Sequence, residues 1–175
     1  MNRVCLALCL TLWSALVQAV PDALRDAGAS WRRWGSGEMR WFGIPLYRAT
    51  LWVAGASRSG DPGASPHAVQ LDYRREIPRS RLVEVSLDEM RRLGASEEQL
   101  ERWKGVLGRV FPDVRDGDTL FGVHYPGWGA TFHDRQRLLG EVPDAEFARY
   151  FFSIWLDPRT RNPGLRAALL ERPPG

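Results

Sequence analysis

Hydrophobic and polar positions alternate along several stretches of the chain, a pattern typical of half-buried β-strands. The alternation is clearest in residues 67–73, where Val69, Leu71 and Tyr73 fall on one face. Residues 38–53 are rich in aromatic and β-branched side chains and predict two consecutive strands. Gly43 lies between these two strands, followed by a proline, which predicts a bend or bulge there.

A second alternating stretch, residues 119–125, is followed by Pro126-Gly127 and then by a returning apolar segment at 130–132. A strand, a turn and a second strand in this order predict a β-hairpin. Across such a hairpin His124 and His133 could face each other. The glycine-rich segment from 55 to 66 predicts a surface loop between strands.

Helices are predicted by apolar spacing and by end signals. Ser96, with Gln99 three residues later, has the spacing of a capping box. The predicted helices span residues 79–93, 96–111, 144–155 and 164–170. Strands, helices, a hairpin and again helices predict an α+β domain, an antiparallel sheet with helices packed on one face.

The first nineteen residues have the layout of a secretory signal peptide. Arg3 precedes an apolar run from Val4 to Val17, and small residues lead up to Ala19. We expect cleavage after Ala19, a single domain over residues 20–175, and a periplasmic or secreted location. An uncleaved anchor is the alternative, but the run is shorter than the ~20 residues needed to cross a bilayer. No later segment is apolar enough to span a membrane.

The composition of the chain excludes several classes of function. Cys5 and Cys9 both lie in the predicted signal, so the remaining chain has neither thiol chemistry nor disulfides. Of 24 basic side chains, the loss of Arg3 leaves 23 against 21 acidic ones, a balance that gives no drive towards nucleic acid. Eight Trp and seven Phe in the full chain predict a large aromatic interior or an apolar pocket.

Motifs for catalysis, metals and cofactors are absent from the sequence. The histidines, His67, His124 and His133, have no helical metal-ligand spacing, so we expect no metal site. There is no G-x-S-x-G nucleophile elbow. Gly35-Ser36-Gly37 lacks the third glycine of a dinucleotide fingerprint and is interpreted as a turn, so no cofactor is predicted.

Arg40 lies in an aromatic environment, next to Trp41 and Phe42. Burying an unpaired guanidinium there would be costly, so an inward-facing Arg40 predicts an anion, and a carboxylate matches its planar fork. The alternative is that Arg40 lies on the solvated face of an edge strand, or pairs with Glu38 or Asp72.

Five blocks of the chain together match the pattern of a known family: residues 37–52, 71–77, 121–129, 147–160 and 165–170. In this order they resemble chalcone isomerase-like proteins, in particular their exported bacterial branch. The resemblance implies a large antiparallel sheet, helices layered on one side, and a ligand cleft between the two layers. It does not imply one activity, since plant members close a flavanone ring whereas related members bind fatty acids without catalysis.

The isomerase site implied by the resemblance consists of an Arg, a Thr, a Tyr and an Asn. An alignment on Tyr47 puts Phe42 at the position of the Thr. The only asparagine after the predicted signal, Asn162, lies in a C-terminal connection. Arg40 and Arg33 compete for the position of the Arg. Hydrogen-bond donors that stabilise the charge of the transition state supply most of the rate of such a ring closure. Because the Thr and the Asn have no counterpart, we expect no ring-closing activity and name no catalytic residue.

The leading hypothesis is a non-catalytic binder of a fatty acid or a similar small apolar or amphiphilic ligand. Arg40 would take the carboxylate, and Tyr47 or Tyr73 would add a hydrogen bond. One alternative is an isomerase or lyase with His124, Tyr125 or Arg40 as acid or base. Another is an interaction protein whose exposed aromatic side chains meet a partner.

Overall fold

A six-stranded antiparallel sheet forms the centre of the protein in a computed structural model that describes residues 21, 24, 30–55 and 65–171. Each strand pairs with the next along the chain, so the sheet is a meander. The strands are β1 (Trp31–Trp41), β2 (Ile44–Ala54), β3 (His67–Tyr73), β4 (Thr119–Tyr125), β5 (Gly129–His133) and β6 (Leu138–Val142). The predicted strands and hairpin are confirmed.

The helices pack on one face of this sheet and bury its inward-facing aliphatic and aromatic side chains. They are α1 (Arg79–Arg92), α2 (Glu97–Val110), α3 (Ala145–Leu156) and α4 (Pro163–Leu170). The predicted capping box is present, because Ser96 accepts from Gln99 N–H and Gln99 accepts from Ser96 N–H. The α+β class and its layered architecture are therefore confirmed.

Gly35 and Gly37 lie in β1, so their interpretation as a turn is wrong. A Cβ atom at Gly35 would stand 2.4 Å from the carbonyl oxygens of Ala168 and Leu169. A Cβ atom at Gly37 would stand 2.9 Å from Leu165 Cδ1. These glycines let α4 lie directly against β1, which explains two glycines in a strand.

The β1–β2 turn is formed by Phe42 and Gly43, with φ of 47° and 78°. Two central residues with positive φ are typical of a two-residue type I′ hairpin turn. The predicted bend is therefore real, and a register shift next to Arg40 accompanies it.

Strand β6 has no counterpart in the sequence prediction. The sequence of β6 shows no clear alternation of apolar and polar positions, because β6 is a partly exposed edge strand with a glycine in its centre. The predicted signal peptide, most of the predicted 55–66 loop and the last four residues lie outside the described residues. None of the described helices is both long and apolar enough to cross a membrane.

Candidate functional site

An apolar cleft of about 620 Å³ lies between the sheet and helices α1 and α3. Its volume is in the range of small-molecule sites. The interior is formed by aliphatic and aromatic side chains, among them Val69, Leu71, Phe111, Phe132, Phe151 and Ile154. Strands β2 and β3 supply one wall because their alternation points every second side chain towards the helices.

Tyr47 and Tyr73 place two phenol groups in this apolar cleft. They are opposite each other on β2 and β3, and their rings meet edge to face with centroids 5.9 Å apart. The Tyr47 oxygen accepts a hydrogen bond from Trp155 Nε1 at 3.1 Å. Within the described part of the chain, the Tyr73 hydroxyl has no hydrogen-bond partner.

Burial raises the pKa of Tyr47 to about 12, although the hydrogen bond from Trp155 opposes the shift. Burial, followed by the neighbouring Tyr47, raises the pKa of Tyr73 well above its usual value. Both phenols are therefore protonated at neutral pH and can act as hydrogen-bond donors.

Arg40 contributes to the cleft lining, but its guanidinium group is already engaged. Its Nε and one terminal nitrogen donate to Glu38 Oε2, at 3.1 and 2.7 Å, and the other donates to the Gly43 carbonyl at 3.3 Å. The side chain is 55% exposed. The ion pair with Glu38 is one of the alternatives that the sequence left open.

Arg161 and Asn162 also line the cleft, and sequence reasoning did not assign them to it. Both lie in the connection between α3 and α4, where Asn162 is the N-cap residue of α4. Arg161 Nε contacts Glu89 Oε1 at 3.2 Å, and Glu89 also pairs with Arg92 at 2.8 Å. The sequence carries no local signal that Arg161 and Asn162 belong to the cleft, because only the folding of α1 against the α3–α4 connection brings them there.

Two other candidates from the resemblance, Arg33 and Phe42, lie away from the cleft. Arg33 faces Trp52 across β1 and β2 and hydrogen-bonds Ser36, and it is not part of the lining. Phe42, at the aligned position of the isomerase Thr, is 89% exposed in the β1–β2 turn. Asn162, in contrast, reaches the cleft although it lies in a C-terminal connection.

The predicted pairing of His124 with His133 is wrong. In the β4–β5 register His124 is opposite Ala130, and His133 is opposite Phe121. His124 instead faces His67 on β3, with Nδ1 and Nε2 3.3 Å apart. Because His133 is opposite Phe121, an odd number of positions from His124 on β4, the two histidines point to opposite faces of the sheet.

His67 and His124 form a small pair in which His67 is buried and His124 is half-buried. His67 Nδ1 is 2.9 Å from the Ser65 carbonyl, which can only accept, so Nδ1 of His67 donates and its Nε2 accepts from His124. Burial, then His67, lowers the pKa of His124 to about 4. Within the described residues, no group of three or more His, Cys, Asp or Glu side chains could hold a metal.

Comparison with known proteins agrees with this geometry. The family model described as chalcone isomerase-like matches residues 18–171. The crystal structure of a fatty-acid binding protein from Arabidopsis thaliana has the same fold, with a TM-score of 0.61 and 14% sequence identity. The alignment covers 82% of this chain and 88% of that chain. No curated protein matches the sequence significantly.

Proposed function

We propose that this chain, which belongs to the chalcone isomerase-like family, is a non-catalytic binder of a fatty acid or a similar amphiphile. The observation that carries the proposal is the apolar cleft, whose wall presents two protonated phenol groups. A long hydrocarbon chain gains from burial in such a cleft by about 0.8 kcal/mol per CH₂ group. The Arabidopsis protein that shares the fold is a fatty-acid binding protein, which supports this choice of ligand.

The polar groups around the cleft match a carboxylate headgroup. The hydroxyls of Tyr47 and Tyr73 donate hydrogen bonds, and Arg40 and Arg161 supply positive charge. Glu38 accepts two hydrogen bonds from Arg40, whereas the closest carboxylate contact of Arg161 is made by its Nε and its terminal nitrogens donate no hydrogen bond within the described region. Arg161 therefore has terminal N–H donors to offer, while Arg40 would exchange Glu38 for the ligand.

Export is the second part of the proposal. The apolar run from Val4 to Val17 and the expected cleavage after Ala19 support a working protein outside the cytoplasm, in the exported bacterial branch of the family. The intact mass of protein purified from the producing cells tests this point. Cleavage after Ala19 supports export, and a chain that retains residues 1–19 contradicts it.

Ligand binding is tested by native mass spectrometry of the protein as purified, followed by calorimetric titration with oleate. Oleyl alcohol, which has the same chain without the carboxylate, is the matched probe. We expect a co-purifying lipid or a stoichiometric oleate complex. No co-purifying lipid together with no binding of either probe would overturn the proposal.

The headgroup assignment is tested with Arg40→Gln and Arg161→Gln. Each should weaken oleate binding by roughly three- to tenfold and leave oleyl alcohol unaffected, because only the charged ligand loses an ion pair. Arg137→Gln is the control, since Arg137 is 77% exposed and lies outside the cleft lining. If neither arginine variant discriminates between the probes, the carboxylate does not bind to these arginines.

One observation favours the alternative, an isomerase or lyase. Asn162 lines the cleft together with Tyr47 and Arg40, so three of the four residue types of the isomerase site occur there. Incubation with chalcones and other enones tests this alternative. Turnover above the buffer rate that disappears in Asn162→Ala would favour an enzyme over a carrier.

A further inference from the structure

The turn between β1 and β2 exposes large apolar side chains side by side. Phe42 is 89% exposed, Trp41 59% and Ile44 44%. The Trp41 and Phe42 rings contact each other, with centroids 5.4 Å apart. We call residues 41–44 the apolar turn. Single exposed apolar residues are ordinary, but a contiguous group marks an interaction surface.

Folding alone does not explain this composition. Phe42 is the only non-glycine residue with positive φ in the described region, and type I′ turns favour Asn or Asp there. A bulky side chain in this conformation is strained by roughly 1 kcal/mol or more. Since Phe42 is almost fully exposed, burial within this chain does not offset the strain.

The apolar turn is surrounded by arginines. Glu38 is hydrogen-bonded by Arg40 and faces Arg48 across the β1–β2 ladder. The backbone N–H of Arg74 donates to the Leu46 carbonyl, and the positive charge of Arg74 helps to lower the pKa of Glu38. Three guanidinium groups thus lie around Glu38, and one of them, Arg48, also faces Asp72 across the β2–β3 ladder. The arginines still outnumber the carboxylates, so the protein surface beside the turn carries a net positive charge.

The turn also borders the cleft. Trp41 lines the cleft and is half-exposed in the turn, so apolar surface is continuous from the cleft interior to the tip of the hairpin. Val85 of α1 is 44% exposed and lines the same opening. A ligand with a long apolar chain would keep that chain out of water if this opening lay against a hydrocarbon surface.

We propose that the apolar turn docks the protein on an anionic phospholipid bilayer. The aromatic rings enter the interfacial region, where Trp and Phe are favourable, and Arg40, Arg48 and Arg74 contact lipid phosphates. Direct passage of a ligand between the bilayer and the cleft rests on the proposed function, whereas the docking itself does not. A bilayer matches both the continuous apolar surface and the positive charge around it.

The test is flotation of the processed protein with liposomes of phosphatidylcholine alone or with phosphatidylglycerol added. Phe42→Asn/Ile44→Thr removes two apolar side chains that do not line the cleft, and asparagine suits the positive φ at position 42. Trp128→Ser is the matched control, since Trp128 is 42% exposed in the β4–β5 turn at the opposite end of the sheet.

We expect the parent protein to float with anionic liposomes, with weaker binding at high salt and to neutral liposomes. The double variant should partition at least about tenfold less, because two apolar side chains are lost, while Trp128→Ser behaves like the parent. Oleate binding in solution should be unchanged in the double variant. If the double variant binds oleate differently but floats like the parent, the substitutions affect the cleft and not membrane binding, which would contradict docking through the apolar turn.

Other outcomes also overturn the proposal. Absence of flotation with every liposome, or equal losses in the double variant and Trp128→Ser, excludes the apolar turn as a bilayer-docking surface. If the parent is a dimer by light scattering, and the double variant is a monomer with unaltered flotation, a second copy of the chain covers the turn instead. Circular dichroism and the urea midpoint show that each variant is folded.

Discussion

The indole of Trp155 on α3 donates a hydrogen bond to the Tyr47 oxygen on β2, at 3.1 Å. This bond joins the helical layer to the sheet inside the cleft, because both residues belong to its lining. Tyr73, the neighbour of Tyr47 across the ladder, offers its hydroxyl to the same cleft without such a bond in the described region. The two phenols therefore differ in their contribution to stability and resemble each other in what they offer to a ligand.

Tyr47→Phe should lower the free energy of unfolding by about 1–2 kcal/mol, because the Trp155 N–H loses its acceptor in a poorly hydrated site. Tyr73→Phe should change it by less than about 0.5 kcal/mol, since no hydrogen bond is lost. Each variant should bind oleate about three- to tenfold more weakly. Urea unfolding measures the free energy of unfolding, and calorimetry measures oleate binding. Equal destabilisation by both variants would contradict a stabilising hydrogen bond from Trp155 to Tyr47.

Gly35→Ala should destabilise the protein by about 3 kcal/mol, because the added methyl group meets backbone oxygens of α4 that cannot move independently. Gly37→Ala should cost less, since its nearest neighbour is the end of the Leu165 side chain. Gly108→Ala is the control, because Gly108 lies in α2 with open space around it.

Alanine at position 108 should raise stability by up to about 1 kcal/mol through helix propensity. Thermal or urea unfolding measures the stability of the three variants. We expect Gly108→Ala to be the most stable, Gly37→Ala to be intermediate and Gly35→Ala to be the least stable. A neutral Gly35→Ala would mean that α4 does not approach β1 as closely as the structure shows.

Local patterns were sufficient for much of the fold. The bounds predicted for β3 and β4 agree with the structure, because alternation and flanking turns are properties of consecutive residues. Ser96 was identified as a helix cap because its short polar side chain precedes an apolar helical face, and the predicted helix over 144–155 begins with a cap of the same kind, Asp144. The order of these elements then predicted a sheet with helices on one side.

Long-range pairing decided what the sequence could not predict. β6 is a strand because it pairs with β5, although its own pattern is weak. Arg161 reaches the cleft only because the α3–α4 connection folds back against Glu89. His124 meets His67, 57 residues away, and no spacing rule connects the two. The assignments of Arg40, Tyr47 and Tyr73 to ligand binding stay predictions, although all three line the cleft.

Asp144→Ala should destabilise the protein by about 2–3 kcal/mol, because it removes two interactions at once. Asp144 Oδ1 caps α3 by accepting from Glu146 and Phe147 N–H, and Oδ2 accepts from Trp103 Nε1 at 3.0 Å. Burial acts to raise the pKa of Asp144, but these hydrogen bonds outweigh it and hold the pKa below its usual value.

Asp144→Asn separates the two interactions of this side chain. Its amide oxygen can still cap α3, whereas its NH₂ group cannot accept from Trp103, so we expect a loss of about 1 kcal/mol. Ser96→Ala, which removes only a cap on α2, should cost a similar amount. Urea unfolding measures all three variants, and equal losses in Asp144→Asn and Asp144→Ala would show that the cap contributes nothing.

Stability should fall as the pH decreases from about 6.5 to 4, because of His124. Burial and the neighbouring His67 lower its pKa from 6.5 in the unfolded chain to about 4 in the folded protein. Between these values the unfolded state binds a proton that the folded state does not, so acidification favours unfolding. The carboxyl groups with lowered pKa in the described region, Glu38, Glu97, Asp134, Asp144 and Asp157, lose their contribution mainly in the lowest part of this window and below it, so the fall above about pH 5 reports His124.

His124→Phe removes this titration and keeps a ring against Phe152, on which His124 stacks at a centroid distance of 5.1 Å. The comparison concerns the slope of unfolding free energy against pH, because replacing the side chain also changes the absolute stability. Urea unfolding at intervals between pH 4 and 7.5 should show a slope approaching one proton taken up on unfolding in the parent, and a smaller slope in the variant. Identical slopes would mean that His124 is protonated equally in the folded and unfolded states, and that its contact with His67 does not disfavour the charged form.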